Sequence, residues 1–197
     1  NGCYFGLPGV DPWDEARDAR RYEGPHPVVA HPPCQRWGNF WFGGTHKGSR
    51  RYELGDDGGC FAAALEAVRR FGGVIEHPAR SRAWAHFNLN PPPREGGWIA
   101  ADWQGGWTCW VDQAAYGHRA RKSTWLYAFG VDLPPLRWGE VEGDFAWLRA
   151  ISDRRMRERN MTVRPPVVPR RECEATPAPF RDLLISIART ARRAEVA

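Results

Sequence analysis

No two cysteines in this chain are spaced as a CxxC pair, and the five it has (Cys3, Cys34, Cys60, Cys109 and Cys173) are odd in number and scattered. That pattern excludes a disulfide framework and a zinc knuckle, and it fits a protein kept reduced in a cytosol. No apolar run approaches the roughly 18 residues of a membrane span, so no spanning helix is expected. No leader-like segment is evident at the start. His26, His31, His77 and His118 fall at no ligand-like spacing, so no metal site is expected. Also absent is an apolar strand leading into the early glycines Gly2, Gly6 and Gly9, which leaves them a poor cradle for a nucleotide-like cofactor.

What is present bounds the rest. A chain of 197 residues is long enough for one domain with a real core. The net charge of +5 makes an acidic partner, nucleic acid first, the alternative to a merely solvated arginine-rich surface. The 11 tryptophans serve either as core or as platforms on which bases stack.

The chain divides into an N-terminal segment (1–27), an α/β core (28–130), a basic, proline-containing segment (139–173) and a closing helix (174–193). The first of these, with "WDEARDARRY", reads as a polar loop or a short helical turn. Val28-Val29-Ala30 reads as a buried strand that stops at Pro32-Pro33, because a proline pushes the residue before it out of the helical region. Residues 38–57 are glycine-rich and aromatic, carry Lys47, Arg50 and Arg51, and read as a loop. Phe61, Ala64, Leu65 and Val68 recur at helical spacing up to Gly72-Gly73, which closes the helix. Val74-Ile75-Glu76 reads as a second strand ended by His77-Pro78.

Strand, helix and strand in that order make a βαβ unit with parallel strands and a right-handed crossover. Ligands of such sheets sit at the carboxyl ends of the strands. Cys34 and Glu76 both lie just past strand ends, so both are expected on one rim. A buried inert thiol has no need of a Pro-Pro-Cys corner, whereas a nucleophile presented at a rim does.

Further along, the two GGW triplets of residues 89–107 suggest a hairpin-like excursion. "WTCWVDQAAYG" and "TWLYAFGVDL" read as two more strands, rich in aromatic and β-branched residues, with the basic turn "GHRARKS" between them. Residues 149–171 are arginine-rich, hold Pro165, Pro166 and Pro169, and are expected to pack loosely. Thr176-Pro177 offers an N-cap with proline at the first helical position. Phe180, Leu183, Leu184, Ile187 and Ala191 then line one face of a final amphipathic helix.

Four of these segments, in order, resemble the cytosine-C5 DNA methyltransferases. "PPCQ" at 32–35 is similar to that family's proline-cysteine catalytic motif, and "GGVIEHP" at 72–78 to its strand-end motif, with His77 where the family keeps asparagine. "QAAYGHRARKSTWLYAFG" at 113–130 resembles its Tyr-Gly pair, basic cluster and strand. "EATPAPFRDLLISIA" at 174–188 resembles the stretch that opens its last helix. Aligned without gaps from Tyr116-Gly117, the family's glutamine-arginine-arginine positions fall on Ala120, Lys122 and Thr124.

The resemblance implies a Rossmann-like, methyltransferase-type α/β sheet, reduced at its N-terminal side. It implies that Cys34 adds as a thiolate to C6 of cytosine, with Glu76 at N3 and the exocyclic amine and a cation, Arg121 or Lys122, near the ring. DNA is the implied partner, its target base flipped or met single-stranded. Gln35, Arg36, Arg119, Arg154, Arg155 and Arg157 are the candidate nucleic-acid contacts, each also readable as an ordinary solvated side chain. The family's cofactor is S-adenosylmethionine. Asp14, Asp18 and Thr176 are candidate contacts for it here, but only 33 residues precede Cys34, and a single βαβ unit takes about 30.

A reduced cofactor half leaves three expectations open. The chain is a self-sufficient C5-modifying enzyme, or a subunit whose cofactor half sits on a second chain, or a DNA-binding module that keeps the fold without the chemistry. The compact pattern also resembles small phage-encoded DNA-modification proteins, which would act in the cytoplasm of a bacterial host. A split subunit should leave an apolar sheet edge open; a self-sufficient enzyme should close it with the N-terminal segment or the last helix.

Overall fold

The computed structural model describes residues 2–43, 51–143, 145–148 and 153–192, the side chains of 153–155 excepted. Five strands form one mixed sheet: β1 (Val28–Ala30), β2 (Gly73–Pro78), β3 (Ile99–Ala100), β4 (Trp107–Asp112) and β5 (Ser123–Phe129), in the spatial order β1-β2-β5-β4-β3. Only β1 and β2 run parallel, with Val28 opposite Gly73 and Ala30 opposite Ile75. The pairs β2–β5, β5–β4 and β4–β3 are antiparallel. The crossover between β1 and β2 is α1 (Cys60–Phe71), so the βαβ unit read from residues 28–76 is present. No helix is long and apolar enough to cross a membrane among the described residues.

α1 forms because Phe61, Leu65 and Val68 recur on one face, and all three are buried. Asp57 holds its start. One carboxylate oxygen accepts the N–H groups of Gly59 and Cys60, and the other accepts that of Phe61 and the indole N–H of Trp37 at 2.8 Å. Such a cap is worth ~1 kcal/mol, and here it also ties the segment after β1 to the helix. At the other end Gly72 leaves the helix at φ 75° and Gly73 follows at φ 138°. A Cβ on Gly73 would stand 2.0 Å from the Val28 carbonyl oxygen, so β1 can pair with β2 only because residue 73 has no side chain.

The sheet is covered on both faces, and the period-2 alternation of its strands sorts the residues. Ile75 and Tyr127 face α1 and α2 (Arg82–His86), with Trp37, Phe61 and Trp84. Their neighbours Val74 and Leu126 face the other way, onto Phe180, Leu184 and Ile187 of α5 (Ala178–Arg189). Trp37, Trp84 and Trp110 are core residues.

The excursion over 89–107 is a hairpin, β3 to β4. Asp102 accepts the N–H groups of Gln104 and Gly106 in its turn, and Trp103 projects from the tip, 92% exposed.

Three expectations need correction. "WTCWVDQAAYG" is not one strand: β4 ends at Asp112, whose carboxylate accepts the Ala114 N–H and starts a 3-10 turn over Gln113–Tyr116. The last helix begins one residue later than expected, with Pro177 as the N-cap, no side-chain cap from Thr176, and Pro179 in the first turn. The basic segment is not uniformly loose. It contains α3 (Asp153–Glu158) and α4 (Arg170–Glu174), with Met156 and Val168 buried, and it docks on the basic turn through His118 and the Glu172 carbonyl at 3.1 Å. Lys47 and Arg50 lie outside the described residues.

Candidate active site

β1 ends at Ala30, and the two prolines carry the chain into a turn closed by the Trp37 N–H on the Cys34 carbonyl at 3.0 Å. Trp37 then drops into the core at 2% exposure. Cys34 therefore opens a turn clamped on one side by the strand and on the other by a buried indole. The residue is exposed. Partial burial of the thiol and the charge of Glu76 raise its pKa above the usual thiol value, while its own backbone N–H and Lys122 pull the other way. Burial and the Glu76 charge thus favour the protonated thiol, and Lys122 opposes them.

Glu76 lies inside β2 and not just past its end as expected, because the strand runs on through His77 and Pro78 by pairing with β5; its side chain is 8% exposed. Both of its oxygens are engaged: Oε2 meets Nδ1 of His31 at 2.8 Å, and Oε1 accepts Nε2–H of Gln113 at 3.0 Å. Burial pushes this carboxyl up, but the His31 hydrogen bond and the fields of His31, Lys122 and His77 outweigh it and hold the pKa below the usual value. The second ring nitrogen of His31 lies 2.7 Å from the Tyr4 hydroxyl, so the N-terminal segment reaches the rim. α5 holds that segment, with Arg181 donating to the Cys3 carbonyl at 3.1 Å and Arg189 to that of Pro8 at 3.2 Å.

The expected cation divides in two. Lys122 donates to the Ala175 carbonyl at 2.9 Å and its charge reaches both Cys34 and Glu76. Arg121 turns away: it pairs with Glu140 at 3.4 Å and lies over Phe145. Arg119 is paired with Glu172 at 3.0 Å. Of the two candidates, Lys122 is the one whose charge acts on Cys34 and Glu76.

His77 points to the opposite face from Glu76, between the rings of Phe61 and Trp84. It is 1% exposed, and neither ring nitrogen has a hydrogen-bond partner. Burial lowers its pKa to about 4, against the raising influence of Glu76 and the Pro33 backbone. It packs behind the proline corner as a neutral ring.

Among the candidate nucleic-acid residues, Gln35 and Arg157 are exposed, while Arg36 lies 3.3 Å over the Tyr52 ring and donates to the Trp41 carbonyl. The side chains of Arg154 and Arg155 lie outside the described residues. The candidate cofactor contacts do not assemble. Asp14 accepts the N–H groups of Ala16 and Arg17, Asp18 is held by Arg20 at 2.6 Å, and Thr176 is half-buried before α5. Among the described residues no strand precedes β1 to lead into Gly2, Gly6 or Gly9. Among the described residues no three His, Cys, Asp or Glu side chains cluster as metal ligands.

Tyr4, His31 and Gln113 are the site residues that sequence reasoning missed. His31 had a signal, because it stands directly before the proline corner; Tyr4 and Gln113 had none in their local sequence. No family model, curated protein or solved structure matches the chain.

Proposed function

We propose that this chain is a DNA-modifying enzyme that works at C5 of cytosine, or of a related pyrimidine, through addition of Cys34 to C6. The observation that carries the reading is the rim itself: an exposed thiol on a rigid corner, within the fields of one buried carboxylate and one lysine. A parallel β1–α1–β2 unit presents ligands at this end. It corresponds to the base-handling part of a Rossmann-like methyltransferase sheet.

The charges fit the chemistry. As sulfur bonds to C6, the C5=C6 pair moves to C4=C5 and the C4=N3 pair moves onto N3, which takes a proton. Glu76 is ionised at rest and must take up a proton as the base binds, and a Glu76 carboxyl that then gives up or shares that proton at N3 does two things. It neutralises N3, and by carrying a proton into the complex it removes the negative charge that holds Cys34 as a thiol. Lys122 stabilises the sulfur anion before attack. The target base must leave its stack to reach this rim, and Gln35, Arg36 and Arg157 are available for the strand that carries it. No step is assigned to a methyl donor.

DNA containing 5-azacytosine tests this reading, because nitrogen at position 5 makes C6 more electrophilic and keeps the adduct. The wild-type protein should form a covalent complex that survives denaturant, and Cys34→Ser should form none. Absence of a wild-type adduct on both single- and double-stranded DNA refutes the proposal.

One observation favours a second reading, a subunit completed by another chain. β1 is a three-residue edge strand, and no strand pairs with its outer side among the described residues. A thermal melt with S-adenosylmethionine separates the readings, since a ligand of the native state raises stability. A rise favours the self-sufficient enzyme, and indifference favours a second chain or another electrophile.

A further inference from the structure

Glu76 has two hydrogen-bonded branches, and they end differently. Through Oε1 it meets Gln113, whose Nε2 also donates to Thr124 Oγ1 at 3.0 Å. The Thr124 hydroxyl in turn donates to the Lys122 carbonyl at 3.0 Å. This branch consists of an amide, an alcohol and a backbone carbonyl, none of which exchanges protons near neutrality, so it fixes the carboxylate and carries nothing away. Through Oε2 it meets His31 and then Tyr4 Oη, at 2.8 and 2.7 Å. That branch leads outward: the His31 side chain is 27% exposed against 8% for Glu76. Imidazole is also the side chain that changes charge nearest neutrality.

We propose that His31, held between Glu76 and Tyr4, is the positioning and proton-relay residue of this site, returning to Glu76 the proton that Glu76 gives to N3 of the base. The inference rests on the proposed C6 addition. In that step Cys34 loses its thiol proton to water as the S–C6 bond forms, and N3 gains one from the Glu76 carboxyl. His31 passes its Nδ1 proton to the carboxylate and recovers one at Nε2 from water or from the Tyr4 hydroxyl, which water then refills. When the thiolate leaves, each proton retraces its path. No oxidant, donor or metal enters the balance. The charged and titratable groups around the relay are Cys3 and Tyr4 from the N-terminal segment, Cys34 at the corner, His77 across β2, Lys122 from the basic turn, Glu174 from α4, and Arg181 and Asp182 from α5.

The relay is read without any methyl donor. A C6 adduct makes C5 nucleophilic, so a solvent proton adds there and the original C5 hydrogen leaves before the thiolate departs. DNA carrying [5-³H]deoxycytidine therefore releases tritium to water in the presence of the wild-type protein alone. His31→Gln, which keeps a hydrogen bond to Glu76 but cannot relay a proton, should lower release about a hundredfold and flatten its pH profile. His31→Ala should be rescued by added imidazole, and the rescue by substituted imidazoles should track their basicity. Tyr4→Phe, which loses one hydroxyl, should slow release several-fold with an unchanged melt, and it serves as the variant if either His31 protein fails to fold. Wild-type rate and pH profile in His31→Gln or Tyr4→Phe, with release abolished in Cys34→Ser, overturns the relay and leaves the reaction standing. No release and no adduct from the wild type overturns both.

Discussion

Two buried carboxylates anchor opposite ends of this sheet, and they are treated differently. Asp102, in the hairpin turn before β4, accepts backbone N–H groups on one oxygen, and on the other the Arg69 guanidinium at 2.8 Å and the Tyr127 hydroxyl at 2.9 Å. Its partners are settled structural groups, a fixed cation and a turn backbone. Burial pushes the Asp102 carboxyl up, and the Gly106 N–H, Arg69 and Tyr127 bring it below the usual value. Glu76 at the other end meets a titratable imidazole and an amide whose own oxygen, Gln113 Oε1, is buried without a partner. An exposed thiol lies within its field. A closed network around an arginine holds a fold together. An incompletely satisfied one beside a thiol and a histidine is the arrangement that the proposed proton exchange calls for.

If that contrast is right, removing each carboxylate should separate the two ends. Glu76→Gln should cut covalent capture of 5-azacytosine DNA by a factor on the order of 10² to 10⁴ while leaving the melt near the wild-type value. A variant that traps DNA at the wild-type rate would erase the distinction. Asp102→Ala should do the reverse. It removes the acceptor shared by Arg69 and Tyr127, leaving their hydrogen bond to each other, and should cost about 3 kcal/mol in chemical denaturation, with capture by the remaining folded protein unchanged.

A smaller effect tests the neutral ring behind the corner. His77 titrates near its ordinary range when unfolded and at about 4 when folded, so the unfolded chain binds the proton first as pH falls. Stability contributed by the neutral ring is intact above the unfolded value and is lost progressively as pH drops to about 4 and below, by roughly 3 kcal/mol in all. Denaturation curves across that window should show the loss, and His77→Asn should remove most of it. Smallest of all, Arg157→Gln should leave the rim intact and reduce the salt slope of DNA binding by about 1 if its guanidinium meets a phosphate.

The parts of this architecture legible in the sequence are those set by neighbours along the chain. α1 followed from Phe61, Leu65 and Val68 with glycines behind them, β2 from a short apolar run between Gly73 and Pro78, and α5 from its apolar face. Placing Cys34 and Glu76 on one rim needed only the parallel crossover. The partners of Glu76 were not legible, because Tyr4, His31 and Gln113 converge from positions 4, 31 and 113 and carry no shared spacing. The early stop of β4 was missed for a related reason. Asp112 ends the strand by accepting N–H groups from both Ala114 and Lys122, and the second of these lies ten residues away.

The contact between Gly73 and Val28 has a consequence for how this lineage can vary. Position 73 touches no reacting atom, yet the width of one methyl group there separates chains that can seat β1 from chains that cannot. Since Cys34 and His31 both hang from the end of β1, a substitution at 73 would act on the rim as severely as one inside it. Drift should therefore be tolerated along the solvent face of α1 and stop abruptly at the residue where the helix hands the chain to the sheet.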